Sequence, residues 1–184
     1  MSRSWTGETR RLFVAADLPH QAAMAIAEWQ QRELAEREDV RVAASLHLTL
    51  CFLGDVAVAR VPTLVAALER VRFGRIELEA GEVIFLPERG ARRVIALELV
   101  DEAGALAALQ RDVAATLAGL GLYKPEKRPF LPHVTVARFR RQGHPFSLQN
   151  VNVPRFCVDQ VVLYSSLLER GGAVHTPLHV FHAS

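Results

Sequence analysis

Two short stretches of this chain carry the same side chains in the same order. One is Leu46-His47-Leu48-Thr49-Leu50, and the other, 86 residues on, is Pro132-His133-Val134-Thr135-Val136. In a β-strand, residues i and i+2 project from one face. His47 with Thr49, and His133 with Thr135, therefore share a face, while Leu48, Leu50, Val134 and Val136 take the other. The chain has seven His and seven Thr in 184 residues. Random placement predicts about 0.3 His-x-Thr pairs, so two copies in apolar, strand-like surroundings call for a reason.

The chemistry open to such a set is proton transfer beside an anion. A neutral imidazole accepts a proton and an imidazolium donates one, both near pH 7. Two His on opposite sides of a ligand supply a general base and a general acid, each contributing roughly 10²–10⁴-fold. Threonine hydroxyls beside them can donate hydrogen bonds to the non-bridging oxygens of a tetrahedral phosphate. The symmetric arrangement suits an in-line displacement at phosphorus, such as hydrolysis of a phosphodiester, with no metal required. The plain alternative makes the His ordinary strand residues and the Thr β-formers. The duplication speaks against it.

Other sites are weaker. His175 and His179 are four apart, but Pro177 between them bars a helical metal pair, and no His-Glu-x-x-His occurs. No metal or other cofactor is expected. Gly119 and Gly121 follow a helical pattern rather than a strand, the reverse of a dinucleotide fingerprint. His20, His144, His175, His179 and His182 read as surface or filler residues. Cys51 and Cys157 form no Cys-x-x-Cys, and Cys51 reads as a buried filler.

The elements that must hold the two motifs follow from periodicity. Residues 11–16 read as a buried strand, a helix runs from Pro19 to about Asp39, and a strand over 40–52 carries His47 until Gly54-Asp55 ends it. Val61, Leu64, Val65, Leu68 and Val71 mark an amphipathic helix. Strands are expected over 76–80, 83–86 and 93–100, then a helix over 103–119. A basic, Pro-containing loop over 123–132 delivers an extended chain to His133. That strand runs to Phe139, 140–145 is a loop, and 146–153, 158–164 and 178–181 are further strands, with a turn at 169–172 between the last two. Strand–helix–strand thus occurs twice, each unit ending in a His-x-Thr. This predicts an α+β fold of two pseudo-symmetric lobes, antiparallel-rich, with helices on the outer faces and a cleft between the His/Thr strands. Residues 10–184 are expected to form one two-lobed domain after a flexible stretch over 1–9.

Half of the residues are apolar and 23% are charged, as in soluble globular proteins. No apolar run approaches the ~20 residues that span a bilayer, and the N-terminus has no signal-like apolar core. A monomer in the cytoplasm is expected. The net charge is only +2, but Lys124 to Arg141 holds six basic residues and one acid, around the second motif. A local basic excess beside a polar cleft suits a phosphate-bearing ligand.

These motifs resemble those of a known family. Arg11-Leu-Phe-Val-Ala, His47-Leu-Thr-Leu-Cys-Phe-Leu-Gly54, Arg128-Pro-Phe-Leu-Pro-His-Val-Thr-Val-Ala-Arg138 and Val162-Leu-Tyr-Ser-Ser-Leu167 run nearly end to end. Their content, order and spacing resemble the RNA 2',3'-cyclic phosphodiesterases, formerly called 2'-5' RNA ligases, of the two-histidine phosphoesterase superfamily. The resemblance implies metal-independent opening of a 2',3'-cyclic phosphate at an RNA end, or of a cyclic nucleotide, to a 2'-phosphomonoester. It implies His47 as proton donor to the departing 3' oxygen and His133 as proton acceptor from water. Thr49 and Thr135 would hold the phosphate, and Phe52 and Arg138 would contact the ligand. Strict alternation puts Phe52 and Arg138 on the opposite face, so they reach the cleft only past a bulge or twist. Cys51 stands where relatives usually carry Arg. Two other functions fit the same residues: a nucleotide- or RNA-binding module without turnover, and reversible 2'-5' ligation or action on another cyclic phosphate.

Overall fold

The computed structural model of the chain describes residues 8–169 and 172–184. Most of the N-terminal stretch read as flexible, and the tip of the 169–172 turn, lie outside the described residues. Among those described, nine strands form one sheet. They are β1 (Thr9–Asp17), β2 (Val40–Val42), β3 (His47–Ala57), β4 (Ile76–Leu86), β5 (Arg92–Val100), β6 (His133–Gly143), β7 (Phe156–Val158), β8 (Gln160–Glu169) and β9 (Gly172–His182). Three α-helices join them: α1 (His20–Leu34), α2 (Val61–Leu68) and α3 (Ala105–Gly119). The fold is α+β, and every strand pairing is antiparallel.

The strand order β7-β4-β5-β6-β3-β1-β8-β9 is a near palindrome about the β6/β3 junction. Each site strand has on its outer side the strand that begins its own unit, β1 beside β3 and β5 beside β6. The two site strands meet at a single paired position, Leu48 opposite Val134. These are the residues that follow the two histidines. Continuing that register one step either way would set His47 across from Thr135, and Thr49 across from His133.

The apolar face of each site strand is closed by the helix of the other unit. Leu48, Leu50, Val134 and Val136 are all buried, and burying each such side chain contributes about 2 kcal/mol. From α1, the amide of Gln30, itself only 4% exposed, donates to the Val136 carbonyl of β6 at 2.7 Å and to the Ala43 carbonyl at 3.1 Å. From α3, Gln110 donates to the Leu50 carbonyl of β3 at 3.4 Å. Unit one thus sends its helix, and β2 with it, onto the site strand of unit two, and unit two returns the exchange.

Several sequence expectations need correction. The helix from Pro19 stops at Leu34 rather than near Asp39, and Arg37 turns back to pair with Asp39 at 2.9 Å and to cover the Phe146 ring at 3.5 Å. The single strand expected over 40–52 is two, because β2 leaves for β6 before β3 begins. Gly54 does not end β3. At φ +73° it sits beside an irregularity in the β1 pairing, and the strand runs on to Ala57. The strands expected at 76–80 and 83–86 are one, bulged between Ala80 and Val83, and β6 runs through the expected loop to Gly143. Residues 146–153 form no strand. Their backbone is engaged by α1 instead: Trp29 Nε1 donates to the Gln149 carbonyl at 2.7 Å, and the Gln149 amide donates to Glu33 at 3.2 Å.

Candidate active site

The two site strands carry the same irregularity at the same place. On β3, Thr49 pairs with Ala15 and Cys51 with Val14, leaving Leu50 as an extra residue. On β6, Thr135 pairs with Ala96 and Ala137 with Ile95, leaving Val136 extra. Each bulge reverses the phase of alternation. The result is that both Leu50 and Cys51, and both Val136 and Ala137, are buried, while Phe52 and Arg138 emerge on the exposed side with the His and Thr. The extra carbonyls, of Leu50 and Val136, are the ones that Gln110 and Gln30 bond. All six residues singled out from the sequence, His47, Thr49, Phe52, His133, Thr135 and Arg138, thus stand on the non-core face of two adjoining strands.

His133 is fixed by one short bond. Its Nδ1 lies 2.8 Å from the Leu131 carbonyl, and a carbonyl only accepts, so Nδ1 carries the hydrogen. In the neutral ring this leaves the Nε2 lone pair free to take a proton.

His47 is held differently. The Ser45 hydroxyl is 3.4 Å from its Nδ1, and three rings surround it. Phe13 is 5.0 Å away between centroids, His175 5.2 Å and Tyr164 6.3 Å. Burial first, then the positive potential of His175, push its proton affinity down to about 4. Arg138 and His133 add to this, against the pull of the Ser45 backbone. Across β1, Asp17 is the strand partner of His47, as Glu98 on β5 is of His133. The Asp17 carboxylate is taken up by the Tyr164 hydroxyl, at 2.8 and 2.9 Å.

The chain and its fold have counterparts among known proteins. A family model described as the 2'-5' RNA ligase superfamily matches residues 18–167. The chain belongs to that superfamily. The RNA 2',3'-cyclic phosphodiesterase of Escherichia coli (strain K12) is 30% identical over 175 residues, 93% of this chain and 95% of that protein. The crystal structure of E. coli LigT in apo form has a TM-score of 0.82 at 27% identity, covering 97% of this chain and 99% of that one. That of E. coli LigT complexed with 3'-AMP has a TM-score of 0.80 at 28% identity, covering 96% and 99%.

In this member of the superfamily, sequence reasoning missed three contributors. His175, read as surface or filler, packs against His47. It parts company with His179, which meets Glu69 at 3.5 Å, because the β8/β9 register shifts between the two positions. Arg41 on β2 lies directly across from Arg138, and burial first, then the Arg41 charge, makes the Arg138 cation costlier. Like charges opposite one another in a ladder are unfavourable unless an anion comes between them. Of the six basic residues from Lys124 to Arg141, Arg138 is the one whose charge is felt at both His47 and His175. The third contributor is the pair of bulge-holding glutamines. One signal for the bulges stands in the sequence: each motif has two successive apolar residues after its Thr, Leu50-Cys51 and Val136-Ala137. Cys51 is a core residue, 1% exposed, its thiol pushed up to about 11 chiefly by burial. It is not a nucleophile.

Proposed function

We propose that this chain hydrolyses the 2',3'-cyclic phosphate at RNA ends to a 2'-phosphomonoester without a metal ion. The observation that carries the reading is the pair of equivalent His-x-Thr faces meeting at Leu48 and Val134, in a chain of this superfamily. Thr49 and Thr135 donate hydrogen bonds to the non-bridging oxygens, and Arg138 balances their charge. His133, its Nδ1–H engaged by Leu131, takes a proton from water at Nε2 as the water oxygen bonds to phosphorus. The bond from phosphorus to the 3' oxygen breaks, and His47 gives that oxygen its proton. The cycle leaves His133 protonated and His47 neutral, and exchange with solvent resets both. Phe52, 54% exposed, offers a flat apolar face on which a base can stack. The protein acts as a single two-lobed unit, a monomer, in the cytoplasm.

The test is RNA ending in a 2',3'-cyclic phosphate, incubated with the protein in chelator, with the surviving phosphate then located. A 2'-phosphate is the expected product. A 3'-phosphate reverses the leaving group, loss of activity in chelator with recovery on zinc overturns the metal-free scheme, and tight binding with the ligand recovered unchanged makes the cleft a binding module. With a 5'-hydroxyl in place of water as nucleophile, the same two histidines run 2'-5' ligation, in keeping with the superfamily's description.

A further inference from the structure

The proton-transfer scheme leaves one neighbour of the site unused. His175 sits on β9 opposite Ser166 of β8, in the half that carries His47. Its ring stands nearly perpendicular to that of His47, at 5.2 Å between centroids and 89° between planes. It meets Phe13 in the same manner, at 4.8 Å and 75°. Phe13 in turn stacks on Tyr164 at 5.2 Å. Four rings lean on one another, so His47 cannot rotate its plane without displacing His175 or Phe13. The Nδ1 of His175 is buried and without a hydrogen-bond partner among the described residues, so no carbonyl or carboxylate stabilises an imidazolium at that atom.

We infer that His175 is a positioning residue for His47: a third histidine whose ring fixes the plane of the catalytic imidazole, and whose charge, when present, excludes the proton that His47 must carry. This rests on the reading of His47 as proton donor. The groups facing the pair agree in sign. From β6, Arg138 and His133 add positive potential at His47, and Arg138 does so at His175. From β1, Asp17 could offset them, but its oxygens receive the hydroxyl of Tyr164 from β8. Ahead of β3, Ser45 offers only neutral oxygens. Two imidazolium rings at this separation, partly buried and beside an arginine, repel strongly, so the pair takes up its two protons in well-separated steps. A bound phosphate changes the sum. Its negative charge lets His47 hold a proton while His175 stays neutral, so the acid is loaded when the anion arrives.

The experiment follows the His47 ring by NMR titration in the unliganded wild-type protein, in His175→Gln and in His175→Arg. The same proteins are assayed on uridine 2',3'-cyclic phosphate across the pH range. The His47 midpoint is expected to fall in the order Gln, His, Arg, with the Gln variant roughly half a unit or more above wild type. One limb of the pH profile of kcat/KM should move with it. A role confined to packing would give no such order. A common midpoint in all three proteins, or a midpoint that moves while the pH profile stays, overturns the inference. Should the Arg variant not fold, the Gln and wild-type proteins decide alone. His47→Ala, assayed alongside, separates the two claims. If it keeps activity, the reading of His47 as acid fails; if it is inactive while the His175 proteins share one profile, only the role of His175 fails.

Discussion

On β6, His133 is tied through Nδ1 to a backbone carbonyl at 2.8 Å. On β3, His47 has a hydroxyl at 3.4 Å and leans on Phe13 and His175 instead. The backbones that carry them match down to the bulge after each Thr. What differs is the outer edge of each half. β9 spans eleven residues and brings His175 to His47, while β7, at the other end of the sheet, has three. A repeated framework thus sets where two imidazoles stand, and the unrepeated edge strands set how each holds a proton.

The strongest way to break the comparison is to remove each imidazole in turn. His47→Ala and His133→Ala should each lower kcat on a cyclic-phosphate substrate by about 10²–10⁴-fold, with the circular dichroism of the fold retained. A large loss from one and not the other would mean that the halves share a shape without sharing the reaction.

Acidification separates the halves through stability. The folded site holds His47 neutral down to about pH 4, whereas the unfolded chain protonates it near the ordinary histidine value of about 6.5. The contribution of the neutral ring is therefore fully present above about pH 6.5 and is lost as pH falls towards 4, up to about 3 kcal/mol in all. Urea unfolding at several pH values should show this slope, and His47→Gln should flatten it.

The bulges offer a sharper and smaller test. Gln30→Met removes the amide that bonds the Val136 and Ala43 carbonyls. The Ala43 N–H still donates to the Val136 carbonyl at 2.9 Å, so the loss is that of one or two ordinary hydrogen bonds, about 1–2 kcal/mol in stability. If the bond also serves to aim Arg138, KM should rise severalfold, and the effect should vanish in an Arg138→Ala background, the non-additivity of coupled residues. Additive losses would make Gln30 structural alone. The gentlest test is anion affinity. Sulfate keeps its charge across this range, so its binding by calorimetry should tighten as pH falls from about 7 towards the His47 value. It should weaken severalfold in Arg41→Ala.

Much of this was legible in the chain. The two His-x-Thr motifs, the repeated strand–helix–strand and the α+β class all follow from local pattern, because alternation and amphipathic spacing are local quantities. The phase of Phe52 and Arg138 was not settled by alternation, since a bulge adds a residue that a period of two cannot register. The stretch 146–153 alternates like a strand, yet its backbone partners are side chains of a helix 116 to 120 residues earlier. His175 and Arg41 were hidden for a related reason. Their place at the site depends on how a hairpin and a three-residue strand cross a folded sheet, and nothing in their immediate neighbours records that.

The exchange of helices between the units bears on how the molecule opens. Between β3 and β6 alone, a single paired position would ordinarily be a weak seam, free to breathe on its own, even with β2 laid along β6 beside it. Here each side of the seam is gripped from behind by the opposite unit, through Gln30 on β6 and Gln110 on β3. Parting the strands at Leu48 and Val134 means stripping both helices from their seats. Amide hydrogens along the seam should accordingly exchange with solvent only in the global unfolding reaction, and neither half, expressed by itself, should keep its cleft strand covered.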